Sequence, residues 1–457
     1  MMDVQDPDHS IQNSSYRQRL QSYHEQSINV MNAMLTTSRE PLAAYNDDDN
    51  ATSHGQGSMK GAVFILMNSI MGASILVLPY TFGQIGLVSA VMMQLFVVFL
   101  SHVTHMVLAD AVDLYDGSNY QTLVGKACGP LIQALSQIGL ILYTFSLSAS
   151  THITIGDQAV KLCDAATGED NHWYCKRYFM IPTVSFTLIF PLIWVRNISS
   201  FSYTSYLSAL AVLYIVVAVI ADYFILDLPM SDEILMPDVS GLTVLQYFPI
   251  MALGMCCHMT SVPLYYELNG RTTARFSIVV LCANSMVLFF YLGFGTFGLL
   301  TFGVNVQPDI LLSYSPSDTL MMIARGAISV SVIASYPIFL FLGRNAIEDT
   351  LVQLGNLCSQ NVTPNNELRR IFVTLCWHLS ALSISLLTSS LAVVLAYVGS
   401  IAALFMLFFP GYILWNGISI RNWAHRITAV ILMALGTFTF LWTVVFNSYK
   451  EATTKVQ

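Results

Sequence analysis

Two stretches of this sequence could bind an ion or a small polar molecule within an apolar environment. The first, NSIMGASILVLPY, contains Gly72 and Pro79, and the second, LGMCCHMTSVPLYYEL, contains Gly254 and Pro263 with polar side chains between them. Small or polar residues followed by proline favour a local break in a helix, which frees backbone N–H and C=O groups. A freed helix N-terminus suits a carboxylate, and freed carbonyl oxygens suit a cation. Both stretches are therefore candidate binding segments.

The segments around them indicate a membrane environment. The 457-residue chain is 55% apolar and only 10% charged, with a mean hydropathy of +0.60, whereas a soluble domain has about 25% charged residues. The apolar residues form blocks of about 20, each long enough to cross a hydrocarbon core of about 30 Å as a helix. We therefore predict an all-α polytopic membrane protein with about eleven transmembrane helices. The predicted spans are 60–83, 85–109, 130–158, 179–195, 204–226, 242–268, 275–302, 319–343, 369–390, 391–416 and 425–447.

The two candidate binding segments lie in the first and sixth predicted spans. Matched interruptions in two spans are typical of transporters with inverted repeats, whose ligand site lies where both helices unwind. The alternative is that glycine and proline merely kink ordinary membrane helices, but the matching positions favour a site. Repeat one is then predicted at residues 60–226 and repeat two at 242–416, with an extra helix at 425–447. The candidate substrate-binding residues are Gly72, Ala73, Ser74, Cys257, His258 and Thr260.

The basic residues predict the orientation of the chain. Most Lys and Arg residues fall in predicted loops on the side of the N-terminus, and the positive-inside rule makes that side cytosolic. Residues 1–58 are polar and lack an apolar run, which predicts a disordered cytosolic tail. Residues 59–449 form the predicted transmembrane domain, and residues 450–457 form a short C-terminal tail. The Asn-x-Ser/Thr sites would all be cytosolic and without glycan, at Asn13, Asn50, Asn197 and Asn361.

The cysteines suggest one covalent link. Cys163 and Cys175 bracket a polar loop that the predicted topology puts outside the cytosol, where a disulfide could form. Whether the two thiols are bonded is open, because the sequence contains no geometry. Most other cysteines lie in apolar blocks, as small buried side chains do.

Several functions are excluded by the same survey. No basic stripe suggests nucleic-acid binding, and no metal-ligand spacing, nucleophile elbow or phosphate-binding loop occurs where it could work. We therefore expect no enzyme activity and no cofactor. The expected partners are the lipid bilayer, a small substrate and, through the N-terminal tail, cytosolic proteins.

Motifs along most of the chain carry a family resemblance. They are GAVFILMNSIMGASIL in span one, YTF and IGDQ in span three, CHMTSVPLYYEL in span six, FGLLTFG and PDILLSYSPSD after span seven, and ARGAISVSVIASYPIFLFLGR in span eight. Between about residues 60 and 417 the sequence resembles the sodium-coupled neutral amino acid transporters, in the amino acid/auxin permease group of the amino acid-polyamine-organocation superfamily. It is most similar to the branch that includes a lysosomal glutamine transporter.

The resemblance implies a fold, a mechanism and an ion site. The fold would be a LeuT-like five-plus-five inverted repeat with helices one and six unwound, and the mechanism would be alternating access. The substrates would be neutral amino acids such as glutamine, carried with Na+. The Na+ ligands would be Asn68 and Ser335, with Ser331 one turn earlier, and their oxygens suit a hard cation. The sequence departs from the family pattern at Ser74, where glycine is usual, and at Ala334, where close relatives often have threonine.

Alternatives to this interpretation stay open. The coupling ion could be H+ instead of Na+, with His258 as the proton carrier. The chain could also be a membrane amino acid sensor that signals through its tail, and its membrane could be plasma or lysosomal. Arg325 lies close enough to the outer side to snorkel and is expected to have a structural role. His102, His105, His152 and Asp157 are expected to serve helix packing or helix ends, and Glu267 to be solvated or paired with Arg271 or Arg344.

Overall fold

The described part of the chain is helical almost throughout. A computed structural model describes residues 58–168, 172–194, 202–226, 240–357, 366–388, 390–418 and 423–454, and these ranges contain no β-strand. The helices are α1 (Met59–Ile70), α2 (Leu78–Ile85), α3 (Leu87–Tyr115), α4 (Tyr120–Cys128), α5 (Pro130–Thr167), α6 (Arg177–Leu192), α7 (Ser202–Leu226), α8 (Gly241–Gly254), α9 (His258–Tyr266), α10 (Thr273–Phe302), α11 (Thr319–Leu357), α12 (Glu367–Leu387), α13 (Leu391–Asn416) and α14 (Trp423–Thr454).

Every predicted span coincides with a described helix or with a pair of helices separated by a break. Among the described residues, nine helices are long and apolar enough to cross a membrane, or up to ten if α1 and α2 form one bent span. Helix α6 is also apolar but shorter. The all-helical multi-pass architecture is thus confirmed, whereas the count of eleven and the inverted repeat stay predictions.

Helices α1 and α2 form the first broken span. Helix α1 ends at Ile70, a 3-10 helix follows at Ala73–Val77, and α2 has Pro79 in its first turn. Proline has no N–H to contribute, so it fits the first turn of a helix, where that group lacks an intrahelical partner. The two arms of the span differ in direction by 53°. The break predicted around Gly72 is therefore present.

Helices α8 and α9 form the second broken span. Helix α8 ends at Gly254 and α9 begins at His258, so residues 255–257 separate the two arms. The freed ends are partly satisfied locally, since the N–H groups of Met255 and Cys256 donate to Ala252 and Leu253 at 3.1 Å. This arrangement keeps most polar backbone groups paired within the membrane.

Packing divides the helices into neighbouring groups. Helix α10 packs against α1, α2, α3 and α7, whereas the long helix α11 packs along α5 and α7. Helix α8 lies along α13, and α14 packs on the outside of α13 with many apolar side chains exposed. The core is therefore built around the broken spans.

A chain of buried polar side chains links α5, α6, α11 and α12. The Tyr336 hydroxyl lies 3.1 Å from His378 Nδ1, and His378 Nε2 lies 3.1 Å from Ser185 Oγ. Ser185 Oγ is 3.0 Å from His152 Nε2, and His152 Nδ1 is 2.9 Å from the Ser148 carbonyl. Because a carbonyl can only accept, each group donates to the next in this order. These hydrogen bonds between side chains stabilise the packing of the four helices against one another.

Candidate functional site

The first break leaves open space beside its backbone. Gly72 is exposed and extended, with φ −123° and ψ −167°, and a Cβ atom built on it would meet no atom within 4 Å. Ala73 begins the 3-10 helix that follows, and Ser74 is almost buried. Tyr291 of α10 donates to the Ile70 carbonyl at 3.0 Å, which satisfies one of the groups freed at the end of α1. A ligand could therefore approach the backbone at Gly72.

The residues predicted to bind Na+ lie on two separate helices, α1 and α11. Asn68 is half-buried in the last turn of α1, and its side chain forms no hydrogen bond with another described residue. Ser335 Oγ donates to the Ser331 carbonyl at 3.0 Å, and Ser331 Oγ donates to Ser208 Oγ of α7 at 2.9 Å. The structure thus brings together the two predicted serines and adds Ser208. It provides no hydrogen bond between Asn68 and either predicted serine in the described part of the chain.

The serine hydroxyls still have ligand capacity. A hydroxyl that donates one hydrogen bond keeps two acceptor lone pairs, and those lone pairs can face a cation. Ser331 and Ser335 donate in the bonds described above, so both oxygens remain able to coordinate. Hydroxyl, amide and backbone carbonyl oxygens form a donor set suited to a hard monovalent cation.

The second break, in contrast, is filled by side chains of α3. His258 is fully buried, its Nε2 lies 2.7 Å from Thr104 Oγ1, and its ring centre lies 4.0 Å from that of His105. Cys257 Sγ lies 3.2 Å from His105 Nε2. Thr260, in the first turn of α9, is half-buried and its side chain bonds to no other described residue.

The hydrogen-bond partners assign the protons of both imidazoles. Thr104 Oγ1 donates to the Leu100 carbonyl at 2.8 Å, so it accepts from His258 Nε2. His105 Nδ1, 2.6 Å from the Ser101 carbonyl, must donate there, which leaves Nε2 to accept from the Cys257 thiol. Burial of two imidazoles with ring centres 4.0 Å apart favours the neutral form of both, and in the neutral ring His258 Nδ1 is a buried acceptor without a partner in the described residues. Such an atom costs about 1–3 kcal/mol until a donor reaches it.

Tyr291 connects the two breaks. Its hydroxyl binds the end of α1, and its ring lies against Gly254 at the end of α8, where an added Cβ would be 3.1 Å from the ring. The open backbone of the first break and the polar cluster of the second break therefore share one neighbouring side chain on α10. Tyr291 thus places the two breaks next to each other.

Sequence comparison identifies the family to which this architecture belongs. The family model described as transmembrane amino acid transporter protein matches residues 55–449, which is most of the chain. The chain belongs to the transmembrane amino acid transporter family. The predictions that it is a transporter of the resembled family and that it is not an enzyme are both confirmed by this membership.

Relatives of this transporter align over nearly their whole length. Sodium-coupled neutral amino acid transporter 7 of Homo sapiens is 30% identical, with 88% of this chain and 90% of the relative covered. The Rattus norvegicus protein of the same name is 32% identical, with 88% and 89% covered. Solute carrier family 38 member 8 of Homo sapiens is 29% identical, with 85% and 93% covered.

The transporter also has the covalent link suggested by its sequence. A disulfide joins Cys163, near the end of α5, to Cys175, just before α6, and the two Cα atoms are 5.5 Å apart. Arg177 Nη1 lies 2.8 Å from Asp157 Oδ1, so an ion pair lies beside the disulfide. Together these links hold the start of α6 against α5.

An ion pair and hydrogen bonds fix the C-terminal end of the second broken span to α3. The Tyr265 hydroxyl donates to Asp113 Oδ2 at 2.6 Å, and Arg271 Nε lies 3.2 Å from Asp113 Oδ1. The Arg271 guanidinium also lies over the rings of Tyr265 and Tyr266. Arg271 therefore pairs with Asp113 of α3 and not with Glu267.

The structure corrects the expectation for Arg325. Its side chain is fully buried and does not snorkel, because Nη2 donates to the carbonyls of Leu311, Tyr314 and Ser315 at 3.0, 2.9 and 3.2 Å. Nη2 therefore keeps its hydrogen bonds without reaching water, whereas Nε and Nη1 are buried with no partner among the described residues. Arg325 thus shapes the loop between α10 and α11.

Proposed function

We propose that this transporter carries neutral L-amino acids, with glutamine-like substrates favoured, by Na+-coupled alternating access. Support comes from the relatives named sodium-coupled neutral amino acid transporter 7. The observation that carries the proposal is the open backbone at Gly72 beside a broken second span that keeps one unpaired buried acceptor, His258 Nδ1. No cofactor is needed for this cycle.

The substrate is proposed to lie between the breaks. Its carboxylate would bind the backbone N–H groups at Gly72, Ala73 and Ser74, at the start of the 3-10 helix. Its ammonium group is a donor, and His258 Nδ1 is the acceptor that lacks one. Cys257 and Thr260 would line the side of the second break. Filling the site would satisfy polar groups that are costly to leave unpaired in a membrane.

The coupling ion is proposed to bind Asn68, Ser331 and Ser335, with Ser208 as a further hydroxyl neighbour. One Na+ that moves through about 60 mV and down a tenfold gradient supplies about 1.4 kcal/mol from each term. This free energy supports about hundredfold accumulation of a neutral substrate. The gradient is therefore sufficient for the proposed symport.

The test is uptake of labelled glutamine into proteoliposomes with Na+ and H+ gradients imposed separately and an amino acid panel as competitors. Asn68→Ala and Ser335→Ala should each reduce Na+-driven uptake at least about tenfold, because each removes one cation ligand. Ser329→Ala is the matched control, since Ser329 Oγ donates to the carbonyl four residues earlier on the same helix, as Ser335 Oγ does.

Three outcomes separate the alternatives. Equal losses in Ser329→Ala and Ser335→Ala would contradict the proposed ion site. Uptake driven by H+ and lost in His258→Gln would move the coupling role to that histidine. Absence of uptake under every gradient would favour a membrane sensor that acts through residues 1–57, which lie outside the described residues.

The orientation proposed from the basic residues puts the N-terminus in the cytosol of a plasma or lysosomal membrane. The sites at Asn13, Asn50, Asn197 and Asn361 lie outside the described residues. Glycosidase treatment of protein expressed in animal cells should leave its electrophoretic mobility unchanged, because those sites would face the cytosol. A mobility shift abolished by Asn361→Gln would reverse the orientation.

A further inference from the structure

The loop between α10 and α11 covers the outer half of the first broken span. This loop, residues 303–318, is called the lid here. Its 3-10 helix Ile310–Leu312 packs against the 3-10 helix Ala73–Val77, and its start, Gly303–Asn305, packs against α2. Ile310 is fully buried, and its side chain and that of Pro79 both lie against Gly298 of α10. The lid thus closes one side of the proposed substrate site.

A buried carboxyl group fastens the lid to α5. Asp309 is 1% exposed, Oδ2 accepts from Gln158 Nε2 at 2.6 Å, and Oδ1 accepts from the lid's own Leu311 N–H at 3.0 Å. None of the described residues forms an ion pair with it, and the guanidinium of Arg325, on α11 behind the lid, directs Nη2 to backbone carbonyls of the lid. Burial without an ion pair shifts the equilibrium of a carboxyl group toward the neutral acid.

Other charged groups surround this carboxyl. The negative charge of Asp157 on α5 disfavours ionisation of Asp309, although Asp157 is itself paired with Arg177 of α6. The positive charge of Arg325 on α11 favours ionisation of Asp309. Asp318 at the end of the lid lies near Arg325, and Asp222 of α7 lies near Asp318. Burial and then Asp157 raise the pKa of Asp309 to about 7, against the opposing effects of Leu311 N–H, Arg325 and Gln158.

We propose that Asp309 is a proton-binding site that latches the lid shut over the substrate site. This inference rests on the proposed function, since it assumes that the covered break is the substrate site. With the lid closed the carboxyl binds its proton and stays hidden beside Gln158. With the lid open the carboxyl meets water and loses the proton. Under the proposed orientation, acid on the side away from the cytosol favours the closed lid.

The pH range follows from the two pKa values. An exposed aspartate has an ordinary pKa of 3.8, and closure raises the Asp309 pKa to about 7. Below about pH 4 the group is protonated in both states and does not oppose closure. Between about pH 4 and 7 the closed-to-open ratio should fall by up to about tenfold per pH unit, and above pH 7 it should be constant.

The experiment measures lid opening without transport. Ile310→Cys, on the buried side of the lid, is labelled with a membrane-impermeant maleimide in oriented proteoliposomes from pH 5 to pH 8, without Na+ or amino acid. Val304→Cys, on an exposed part of the same lid, corrects for the pH dependence of the thiol reaction, and the parent chain gives the background. The ratio of the two labelling rates should rise at least tenfold from pH 5 to pH 7.

Two further variants identify the proton site. Asp309→Asn, which keeps an acceptor for Leu311 N–H but cannot ionise, should make the ratio low and independent of pH. Asp318→Asn is the control, because asparagine can still accept from Met321 N–H, as Asp318 does at 3.1 Å, and it should keep the pH dependence. Gln158→Leu removes a hydrogen-bond donor that favours the ionised form of Asp309. It should therefore move the midpoint of the pH dependence of the labelling ratio to higher pH.

The outcomes separate this inference from the proposed function. A labelling ratio that is independent of pH while Asp309 is present, or that still rises with pH in Asp309→Asn, overturns the latch. If Asp309→Asn does not fold, an unshifted midpoint in Gln158→Leu overturns it instead. Because labelling needs neither substrate nor Na+, a pH-dependent lid in a chain without Na+-driven uptake would leave the latch standing and reject the proposed transport.

Discussion

In both broken spans the break leaves backbone N–H and C=O groups without intrahelical partners, but the surroundings of the two breaks differ. At the first break, the backbone at Gly72 faces open space, and the Asn68 side chain forms no hydrogen bond with another described residue. At the second break, His258 and Cys257 are buried against Thr104 and His105 of α3. The first break therefore leaves polar groups accessible, whereas the second is completed largely by the protein itself.

This difference assigns different roles to residues of similar sequence pattern. An unpaired group at the first break can be satisfied by a transported solute and lost again when the solute leaves. The cluster at the second break is satisfied in the absence of solute, except at His258 Nδ1. We infer that the first break binds and releases the substrate, while the second break provides a preorganised wall with one directed acceptor.

The largest effect is expected at the open break. Gly72→Val should lower the apparent affinity for substrate about 10- to 100-fold, because an isopropyl group would occupy the space where the ligand meets the backbone, with about 1–3 kcal/mol of overpacking. The fold should be unaffected, since an added Cβ meets no atom within 4 Å. Competition uptake over a range of glutamine concentrations measures the change.

Gly326→Val is the matched control for this change. Gly326 lies in α11, outside both breaks, and an added Cβ there also meets no atom within 4 Å. Uptake should therefore be unchanged. Equal losses of affinity at both glycines would show that bulk alone is harmful and would remove the distinction between the two breaks.

An intermediate effect is expected at the filled break. Thr104→Val keeps the shape of the side chain but removes the acceptor of His258 Nε2, so a buried N–H loses its partner. The expected loss is about 1–3 kcal/mol of unfolding free energy. Thermal unfolding in detergent measures it, and Thr443→Val is the control, since the buried Thr443 hydroxyl donates to the carbonyl of Thr439 within its own helix. Equal stability of the two variants would contradict the assigned hydrogen bond.

The sequence predicted the spans well because their signal is local. Twenty apolar residues need a membrane whatever their neighbours are, and the segments with small or polar residues after Ile70 and after Gly254 favour a break by their own chemistry. The short helix α4 was missed because it is a partly polar segment of nine residues between two spans. Its start is nonetheless encoded by Asn119, which accepts from Thr122 N–H at 2.9 Å.

The contacts of the site could not be predicted because they join distant parts of the chain. Thr104 and His258 are 154 positions apart, and Gln158 and Asp309 are 151 apart. Whether a buried histidine or aspartate is paired depends on the packing of separate helices, which one sequence does not specify. Arg325 has the structural role expected of it, but the expectation of snorkelling was wrong for the same reason, since the carbonyls that enclose its guanidinium belong to a loop before its helix.

The smallest effect is expected in the row of hydrogen-bonded side chains that begins at Tyr336. This row lies on helices other than those of the broken spans. Tyr336→Phe removes the donor to His378 Nδ1 and should lower the unfolding free energy by about 1 kcal/mol. The substrate and Na+ dependence of uptake should stay unchanged, because this network stabilises α5, α6, α11 and α12 and reaches neither break. Na+ titration of uptake, beside thermal unfolding, checks both. A shift in Na+ affinity without loss of stability would mean that ion binding is coupled to this scaffold, so the two breaks alone would not account for the transport cycle.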